Sequence, residues 1–526
     1  MSKILLLDCT LRDGGYVNDW NFGERGIAEM LDALAASRVD AIEVGFLVDG
    51  NADDPARTRF SSVEKMAAAF PRGKPEGTLA FGMVVFGKYP IEKIPPRERG
   101  GIDGIRVTFK KNERDAALEF CRRAQELGYL VSVNPTGADA YGDREFLEIV
   151  ESVNAMRPFA FAIVDTLGAM KRRDVARLCM LIDHNLHPDV ALCFHSHNNL
   201  QLSFANALEV MAIPSARTFI IDTCVFGMGR GAGNLCTELM MRHLNDREPG
   251  RYDLIPVLRV IDERVSRIFA RSPWGYSVPY YLAAVNRCHP NYASFLLSKQ
   301  TLPVTGIDAL LKRIPPEKRN EYDKTVIERL YLQYQAHAID DAPARERLRA
   351  AFSGRKLLVL APGKSLVTEA PSIRKFIEEE KPIVVAINAA PPDIRADFIF
   401  VSNAKRFSEL SVPAGTQVIL TSNVPNAPAD ALRADYASYL NDSALADNAA
   451  LMLFALLERA GVADVAVAGL DGFSSGGEED YFSRDLANPA KREGGEDARN
   501  ALMREQLGRF ASRIAFRWIT PSRYAP

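Results

Sequence analysis

Two histidines, His195 and His197, are the residues whose spacing points most directly to chemistry. They close the apolar run 191–194, and side chains two residues apart on a β-strand point to the same face. Both imidazoles would therefore lie side by side at the end of that strand, as two metal ligands do. Two side chains do not define a metal site, so further ligands must come from elsewhere in the chain. An acidic stretch near the N-terminus and a glycine-rich turn after the histidines are the candidate sources.

Short apolar runs, predicted as strands, alternate with amphipathic segments, predicted as helices, through the first half of the chain. Eight strands are predicted: Ile4–Asp8, Ala41–Phe46, Leu79–Val85, Gly104–Phe109, Leu130–Asn134, Phe161–Asp165, Ala191–His195 and Thr218–Thr223. The clearest helical segments between them are Gly26–Ser37, Arg114–Leu127, Arg144–Met156, Arg173–His184 and Leu202–Met211. This alternation over about 240 residues predicts an α/β fold, a (β/α)₈ TIM barrel. A doubly wound open sheet is less favoured, because no G-x-G-x-x-G follows the first strand.

Polar residues gather at the carboxyl ends of the predicted strands, which is where barrel enzymes place their active sites. In chain order they are Asp8, Arg12, Asp13, Glu43, Arg106, Asn134, Thr166, His195, His197 and Asn234. Among them we predict substrate contacts for Asp8, Arg106, Asn134 and Thr166.

Four motifs resemble the signatures of the DRE-TIM metallolyase superfamily, and they occur in the family's order. They are Asp8-x-Thr-Leu-Arg-Asp-Gly14, Ile42-Glu-Val-Gly45, His195-x-His197 and Gly229-x-Gly-Ala-Gly-Asn234. The superfamily includes 4-hydroxy-2-oxovalerate aldolase, 3-hydroxy-3-methylglutaryl-CoA lyase, isopropylmalate synthase and the carboxyltransferase domain of pyruvate carboxylase. The resemblance implies a divalent metal held by Asp13, His195 and His197, with Asn234 as a further candidate ligand. It also implies that Arg12 steadies a developing enolate oxygen while Glu43 holds Arg12 in place.

One carboxylate and two neutral imidazoles leave coordination positions open, so a 2-oxo acid could chelate the ion through its carboxylate and keto oxygens. Mn²⁺ or Mg²⁺ is the expected ion, with Zn²⁺ or Co²⁺ as alternatives. The predicted enzyme is an aldolase, a carbon–carbon lyase that makes or cleaves a 4-hydroxy-2-oxo acid through a pyruvate-type enolate. A Claisen-type acyl-CoA condensing enzyme or lyase on the same barrel is one alternative, and a barrel without turnover that serves as a ligand-binding module is another. A carboxyl transferase or decarboxylase is less favoured, because no strand-end lysine and no biotinyl domain is found.

Tyr16 departs from the aldolase pattern, in which a histidine acts as the base three residues after the metal-binding Asp. A phenol with an ordinary pKa near 10 is a poor base at neutral pH. Tyr16 is therefore either a tuned acid/base or a side chain that shapes the substrate pocket. In the second case the base lies elsewhere, and Tyr276 and Tyr280 are the other candidates.

Three domains are predicted: the barrel over 1–250, a helical extension over 251–352 and a Rossmann-like α/β domain over 353–526. In the last domain a strand opens into the turn Pro362-Gly-Lys-Ser365, which is not a P-loop. Gly363, Lys364, Ser365 and Asp471 are the candidate residues for binding a nucleotide, sugar nucleotide or phosphate. The turn and the segment Val467–Phe473 loosely resemble nucleotide-binding domains of bacterial surface-glycan pathways. The segment Ser474–Asn500 is predicted as a mobile loop or lid.

The composition bounds the partners and the compartment. Lysine and arginine number 65 against 67 aspartate and glutamate, a net charge of −2, so neither a nucleic acid polymer nor a membrane surface is an expected partner. No apolar run has the length of a membrane span and no signal peptide is evident, which predicts a cytoplasmic protein. All seven cysteines lie between Cys9 and Cys288 and are predicted as reduced thiols. We expect a small 2-oxo acid as substrate and a homo-oligomer.

Overall fold

The computed structural model describes residues 2–70, 72–299, 301–474, 480–486 and 495–525. The chain forms two compact units. The barrel unit comprises Met1–Ser294 and Pro315–Tyr322, and the sheet unit comprises Phe295–Ile314 and Asp323–Pro526. The predicted domain limits at residues 250 and 352 stay a prediction. Among the described residues, no helix combines the length and apolar composition needed to cross a bilayer.

Eight parallel strands close into a barrel, which confirms the predicted TIM-barrel fold. The first strand, β1, pairs with β2 on one side and with β9 on the other, so the sheet has no free edge. A short strand, β3, adds to β2 outside the ring. The strands are β1 Ile4–Asp8, β2 Ala41–Leu47, β3 Arg59–Phe60, β4 Leu79–Val85, β5 Gly104–Phe109, β6 Leu130–Pro135, β7 Ala160–Asp165, β8 Ala191–Ser196 and β9 Phe219–Thr223.

The barrel strands are apolar along their whole length because both of their faces are covered. Side chains such as Leu6 and Ile42 pack outward against the helices, whereas Leu7, Phe81 and Ile220 form a separate cluster inside the barrel. The helices of the barrel are α1 Glu24–Ala36, α2 Val63–Ala67, α3 Arg97–Gly100, α4 Arg114–Glu126, α5 Asp143–Met156, α6 Arg172–Asn185, α7 Ser203–Met211 and α8 Thr237–Arg247.

A helical region follows the barrel, as predicted. Its helices are α9 Leu254–Val260, which continues through a π-turn at Ile261–Val265 into α10 Ser266–Arg271, then α11 Val278–Val285, α12 Pro290–Lys299, α13 Val304–Lys312, α14 Lys324–Gln335 and α15 Ala342–Phe352. The region does not form a unit of its own, because α13, α14 and α15 group with the sheet unit.

Seven parallel strands form the open sheet of the sheet unit, in the order β14-β13-β12-β11-β10-β15-β16. The strands are β10 Leu357–Leu360, β11 Ile383–Ile387, β12 Phe398–Val401, β13 Gln417–Thr421, β14 Leu432–Ala434, β15 Asp464–Ala468 and β16 Ala515–Trp518. Strand order reverses between β10 and β15. Alternate residues of β10 enter two different apolar clusters, Val359 in one and Leu358 in the other, so helices cover both faces.

The helices of the sheet unit are α16 Ser365–Thr368, α17 Ala370–Glu380, α18 Ala404–Glu409, α19 Ala449–Arg459 and α20 Gly495–Ala511. The predicted loop over Ser474–Asn500 is corrected at its end, because α20 begins at Gly495 and buries Asn500, Met503 and Leu507. These residues recur at helical spacing, so the segment has one buried face despite its many charges. Residues 475–479 and 487–494 of the predicted loop lie outside the described residues.

Candidate metal centre

Asp13, His195 and His197 meet at the carboxyl ends of β1 and β8, as the sequence predicts. One ligand atom from each lies within 4.8 Å of the other two. Asp13 Oδ2 is 3.9 Å from His195 Nε2 and 4.0 Å from His197 Nδ1. All three side chains are buried. The three atoms therefore surround a common point, which an ion of suitable size can occupy.

The atoms around this point fit a divalent cation. His195 presents Nε2, because its Nδ1 is hydrogen-bonded to Asp222 Oδ2 at 3.0 Å, and a carboxylate behind a ligand imidazole is typical of metal sites. His197 Nδ1 and Asn234 Oδ1 are buried and have no hydrogen-bond partner among the described residues. Leaving a buried acceptor unpaired costs about 1–3 kcal/mol, so each of these atoms favours a bound ligand. One carboxylate oxygen and two imidazole nitrogens suit Mn²⁺, Mg²⁺, Zn²⁺ or Co²⁺.

The protonation states match those that ligands require. Burial lowers the pKa of His197 to about 3, against the opposing effect of the Asp13 charge, so this imidazole is neutral at physiological pH. Burial alone would raise the pKa of the Asp13 carboxyl. The nearby Arg12 and the two imidazoles outweigh it and hold that pKa well below its ordinary value. A charged carboxylate and a neutral imidazole are the forms that bind metal, so no proton has to leave either group first.

Inside the barrel, a closed series of contacting polar side chains runs from Asp13 to His195. We call this series the charge ring. Arg12 donates from Nη1 to Asp13 Oδ1 at 2.5 Å and from Nε to Glu43 Oε2 at 2.6 Å. Glu43 Oε1 lies 3.4 Å from Arg106 Nη1, and Arg106 Nη2 donates to Asp222 Oδ2 at 2.6 Å. Asp222 in turn contacts His195, so the ring consists of Asp13, Arg12, Glu43, Arg106, Asp222 and His195. In this arrangement Glu43 accepts a hydrogen bond from Arg12, as the predicted positioning role requires.

The loop after β1 is shaped by its own contacts. Asp8 accepts from the Thr10 backbone N–H at 2.9 Å, and the Thr10 hydroxyl accepts from the Val225 N–H at 2.7 Å. Trp20 Nε1 donates to the Arg12 carbonyl at 2.7 Å. A Cβ on Gly15 would lie 2.1 Å from the Trp20 ring, so only glycine fits there. These contacts fix the backbone that carries Arg12 and Asp13.

The residues predicted to contact substrate make contacts within the protein, and their contact with substrate stays a prediction. Asp8 also accepts from Thr237 Oγ1 at 2.6 Å, and burial raises its pKa to about 6. Arg106 is buried within the charge ring, and Asn134 bonds to Ser132 beside it. Thr166 Oγ1 accepts from the Gly137 N–H at 2.9 Å. Their polar groups form hydrogen bonds and ion pairs that help to hold the site together.

The three candidate tyrosines differ in position. Tyr16 is 37% exposed, and its ring lies 4.7 Å from that of Trp20, with the Arg230 guanidinium over its face at 4.5 Å. Tyr276 is 59% exposed, and Tyr280 shares a hydrogen bond with Ser294 at 3.1 Å. Among the described contacts, neither Tyr276 nor Tyr280 reaches a metal ligand. Only Tyr16 therefore remains a tyrosine candidate for the chemistry.

Two residues of the site were missed in the sequence. Asp222 is a buried acid in the apolar strand β9, and an acid in such a strand can be detected from the sequence. Its partners across the barrel cannot be detected from the sequence. His289 is buried and accepts from the Asn291 N–H through Nδ1 at 3.2 Å. Burial lowers the pKa of His289 well below its ordinary value, and the nearby Arg230 charge lowers it further. His289 is thus a neutral imidazole within electrostatic reach of the metal centre.

In the sheet unit, the turn that was predicted to bind phosphate is occupied by a carboxylate of the protein. Asp471 accepts from both the backbone N–H, at 2.8 Å, and the hydroxyl of Ser365. The N–H of Gly363 donates to the Gly469 carbonyl at 2.8 Å, and the N–H of Lys364 donates to the Asp480 carbonyl at 3.0 Å. These backbone donors are therefore bonded within the protein, and the role of Gly363, Lys364, Ser365 and Asp471 in binding a nucleotide or phosphate stays a prediction.

A cavity of about 810 Å³ lies beside this turn within the sheet unit. It is at the carboxyl ends of β10, β11, β12 and β15, next to the point at which strand order reverses. Its polar lining includes Lys299, Asn388, Ser402, Arg406, Asp447 and Tyr481.

Comparisons with known proteins support the assignment of the barrel. Residues 105–260 match the HMGL-like family model. A relative named oxaloacetate decarboxylase, from Mycobacterium tuberculosis, is 25% identical over 279 residues, which are 52% of this chain and 79% of the relative. A 4-hydroxy-2-oxovalerate aldolase from Roseiflexus castenholzii is 29% identical over 245 residues, which are 46% of this chain and 70% of the relative. The prediction of a metal-dependent enzyme of the lyase and aldolase type is thus confirmed, and the substrate stays a prediction.

A solved structure is also among the matches. The HMG-CoA lyase from Bacillus subtilis has 13% sequence identity and a TM-score of 0.41, covering 51% of this chain and 94% of that structure.

Proposed function

We propose that the barrel unit is a divalent-metal-dependent aldolase that cleaves or forms the C3–C4 bond of a 4-hydroxy-2-oxo acid. The observation that carries this proposal is the convergence of the Asp13 carboxylate with two imidazoles, beside a guanidinium that is already held by Glu43. The similarity to a 4-hydroxy-2-oxovalerate aldolase and the match to the HMGL-like model support it.

The metal ligands and Arg12 have different roles in the proposed reaction. A divalent ion bound by Asp13, His195 and His197, with Asn234 as a further candidate ligand, supplies Lewis acidity toward the keto group of the substrate. Arg12 places a fixed positive charge where negative charge develops on the keto oxygen as the carbon–carbon bond breaks, a placement worth about 10²–10³ in rate. Because Glu43 and Asp13 already orient Arg12, little reorganisation accompanies the reaction.

Bond cleavage also requires a group that accepts the proton of the C4 hydroxyl. Tyr16 stands at the position of the family's histidine and is partly exposed at the mouth. His289 is the alternative. Since its Nδ1 accepts a backbone hydrogen bond, its Nε2 carries the proton in the neutral form and would act as a hydrogen-bond donor to a substrate oxygen. On this ground we favour Tyr16, which would accept the proton in its phenolate form.

Decarboxylation of a 2-oxo diacid is the second candidate reaction for the barrel. The observation that favours it is the similarity to a protein named oxaloacetate decarboxylase. Loss of CO₂ from such an acid develops the same enolate charge beside Arg12 as aldol cleavage does, so the two reactions differ in the group that leaves.

A substrate panel tests the proposal. We expect the chelator-treated protein, reconstituted with Mn²⁺ or Mg²⁺, to release pyruvate from at least one 4-hydroxy-2-oxo acid, with an aldehyde as the second product. A coupled lactate dehydrogenase assay measures the pyruvate. The Asp13→Asn variant, given the same metal, supplies the background, which matters for oxaloacetate because free metal ions also promote its decarboxylation. Turnover of oxaloacetate alone would establish the decarboxylase instead, and turnover of CoA thioesters alone would establish the Claisen reaction.

We further propose that the sheet unit binds a nucleotide or sugar nucleotide in its cavity. In open parallel sheets, ligands bind outside the carboxyl ends of the strands where the strand order reverses, and the cavity between β10 and β15 lies at such a point. A volume of about 810 Å³ falls in the range of small-molecule sites. Asn388 lines the cavity with φ of 65° and a buried Oδ1 that has no partner among the described residues. Residues held in this backbone region cluster at ligand sites.

Thermal unfolding of the full-length protein with a panel of nucleotides and sugar nucleotides tests this second proposal. A ligand at about 100 times its Kd should stabilise the sheet unit by about 2.7 kcal/mol. We expect Asn388→Ala to lose this shift and Asn426→Ala to keep it, because Asn426 shares the positive φ, at 54°, but is exposed and outside the cavity. A fragment starting at residue 354 is unsuitable, since Lys299 and Tyr331 of the cavity wall would be lost. If no compound shifts the unfolding temperature, the second proposal is wrong and the sheet unit has a structural role instead.

A further inference from the structure

Arg230 lies at the mouth of the barrel, where its guanidinium is near enough to Asp13 for its charge to act on that carboxylate but forms no ion pair with it. Its Nε is buried without a hydrogen-bond partner, and no ion pair joins its side chain to another residue in the described part of the chain. The fully buried arginines of the barrel unit behave differently, since Arg12, Arg106 and Arg217 each pair with an aspartate or glutamate. A partly desolvated cation with no partner is unfavourable unless a ligand neutralises it.

The position of Arg230 is fixed by its loop. The Arg230 carbonyl accepts from the Gly233 N–H at 3.1 Å, and Asn199 Oδ1 accepts from the Ala232 N–H at 2.9 Å. Gly231 has φ of 67°, and a Cβ there would lie 2.8 Å from Asn199 Oδ1. The same loop ends at Asn234, whose side chain donates to Asp13 Oδ2 at 2.6 Å. The loop therefore holds Arg230 in a defined place relative to the metal ligands.

The rings of Tyr16 and Phe46, which we call the aromatic wall, lie between Arg230 and Arg12. Arg230 Cζ lies 4.5 Å from the centre of the Tyr16 ring, and the Tyr16 ring lies 6.2 Å from that of Phe46. Arg12 Cζ lies 5.8 Å from the other end of the wall, the Phe46 ring. The wall thus has one cation at each end. Arg12 forms ion pairs with Asp13 and Glu43, whereas Arg230 forms no ion pair with any described residue.

We propose that Arg230 binds a second carboxylate of the substrate, on the fragment beyond the bond that breaks. The preferred substrate is then a dianionic 2-oxo acid, with one carboxylate near the metal centre and the other at Arg230. A guanidinium suits this role because its planar donors match a carboxylate in a bidentate pair. The inference rests on the proposed function, since it takes the 2-oxo acid head to lie at Asp13, His195 and His197.

Two matched acids test the preference in turnover. 4-Hydroxy-2-oxopentanoate ends in a methyl group, and 4-hydroxy-2-oxoglutarate carries a carboxylate in its place. We expect the native enzyme to favour the diacid in kcat/KM, and Arg230→Gln to reduce the value for the diacid by about 10- to 100-fold, mainly through KM. The value for the monoacid should change less than about 3-fold, and Arg230→Lys should be intermediate for the diacid. Arg59→Gln is the control. Arg59 Cζ lies 5.3 Å from the centre of the Trp20 ring, and Trp20 in turn contacts the Tyr16 ring.

Calorimetric titration with unreactive analogues tests binding independently of turnover. 2-Oxoglutarate and 2-oxopentanoate differ by the same carboxylate, and we expect Arg230→Gln to remove the tighter binding of the former while Arg59→Gln keeps it. Circular dichroism checks that the variants fold. If Arg230→Gln does not fold, Arg230→Lys, which retains the charge, is titrated in its place. Equal affinities of native protein and Arg230→Gln for 2-oxoglutarate would overturn the inference while leaving the aldolase standing. Absence of turnover with both hydroxy acids, with the binding difference present, would overturn the aldolase and retain the anion site.

Discussion

Replacing Asp13 with Asn removes the bound divalent ion and lowers kcat/KM by about 10³-fold or more. Asp13 supplies the only carboxylate of the ligand set, and its charge also pairs with Arg12 at 2.5 Å. The substitution therefore weakens both metal binding and the orientation of Arg12. Elemental analysis after dialysis against a known concentration of Mn²⁺, together with the pyruvate assay, measures both effects.

Asp19→Asn is the matched control for Asp13→Asn. Asp19 lies in the same loop but pairs with Arg57 on the surface, where its side chain is 60% exposed. We expect this variant to retain native metal content and activity. Full metal content and turnover in Asp13→Asn would show that the three converging side chains do not form the working metal centre.

Replacing Glu43 with Gln lowers the free energy of unfolding of the barrel unit by about 3–5 kcal/mol. Glu43 is fully buried and lies between two arginines, with Arg12 at 2.6 Å and Arg106 at 3.4 Å. Without its charge, two buried guanidiniums share fewer counter-charges. Thermal unfolding should show a fall in Tm of roughly 6–20 °C.

Glu119→Gln provides the comparison for Glu43→Gln. Glu119 also pairs with an arginine, Arg122, but both side chains are more than half exposed, at 54% and 56%. Exposed pairs contribute about 0–1 kcal/mol, so we expect little change in Tm. Equal stabilities of native protein and Glu43→Gln would mean that the charge ring contributes nothing to folding.

The barrel and its ligands were predictable because each has a local signal. Strands covered on both faces are apolar throughout, and the polar residues that interrupt them fall at one end, where His195 and His197 stand two residues apart. The partners of these residues were not predictable. Arg106 was expected to face substrate because the sequence shows its polarity but not Asp222, which it meets from another strand.

The sheet unit shows the same limit. The turn 362–365 and the acid Asp471 were both recognised, yet the hydrogen bonds between Ser365 and Asp471 join residues 106 positions apart, which no local pattern indicates. The strands β14 and β16 were missed. They lie at the two edges of the sheet, where burial is incomplete and the apolar pattern is short or interrupted, as in β16.

The charge ring has a consequence for how this enzyme could be re-engineered. Its members come from β2, β5, β8, β9 and the loop after β1, and none belongs to the segment that carries Arg230. Exchanging Arg230 in a saturation library should therefore diversify the accepted substrates while the charge ring, which contains two of the metal ligands, remains intact.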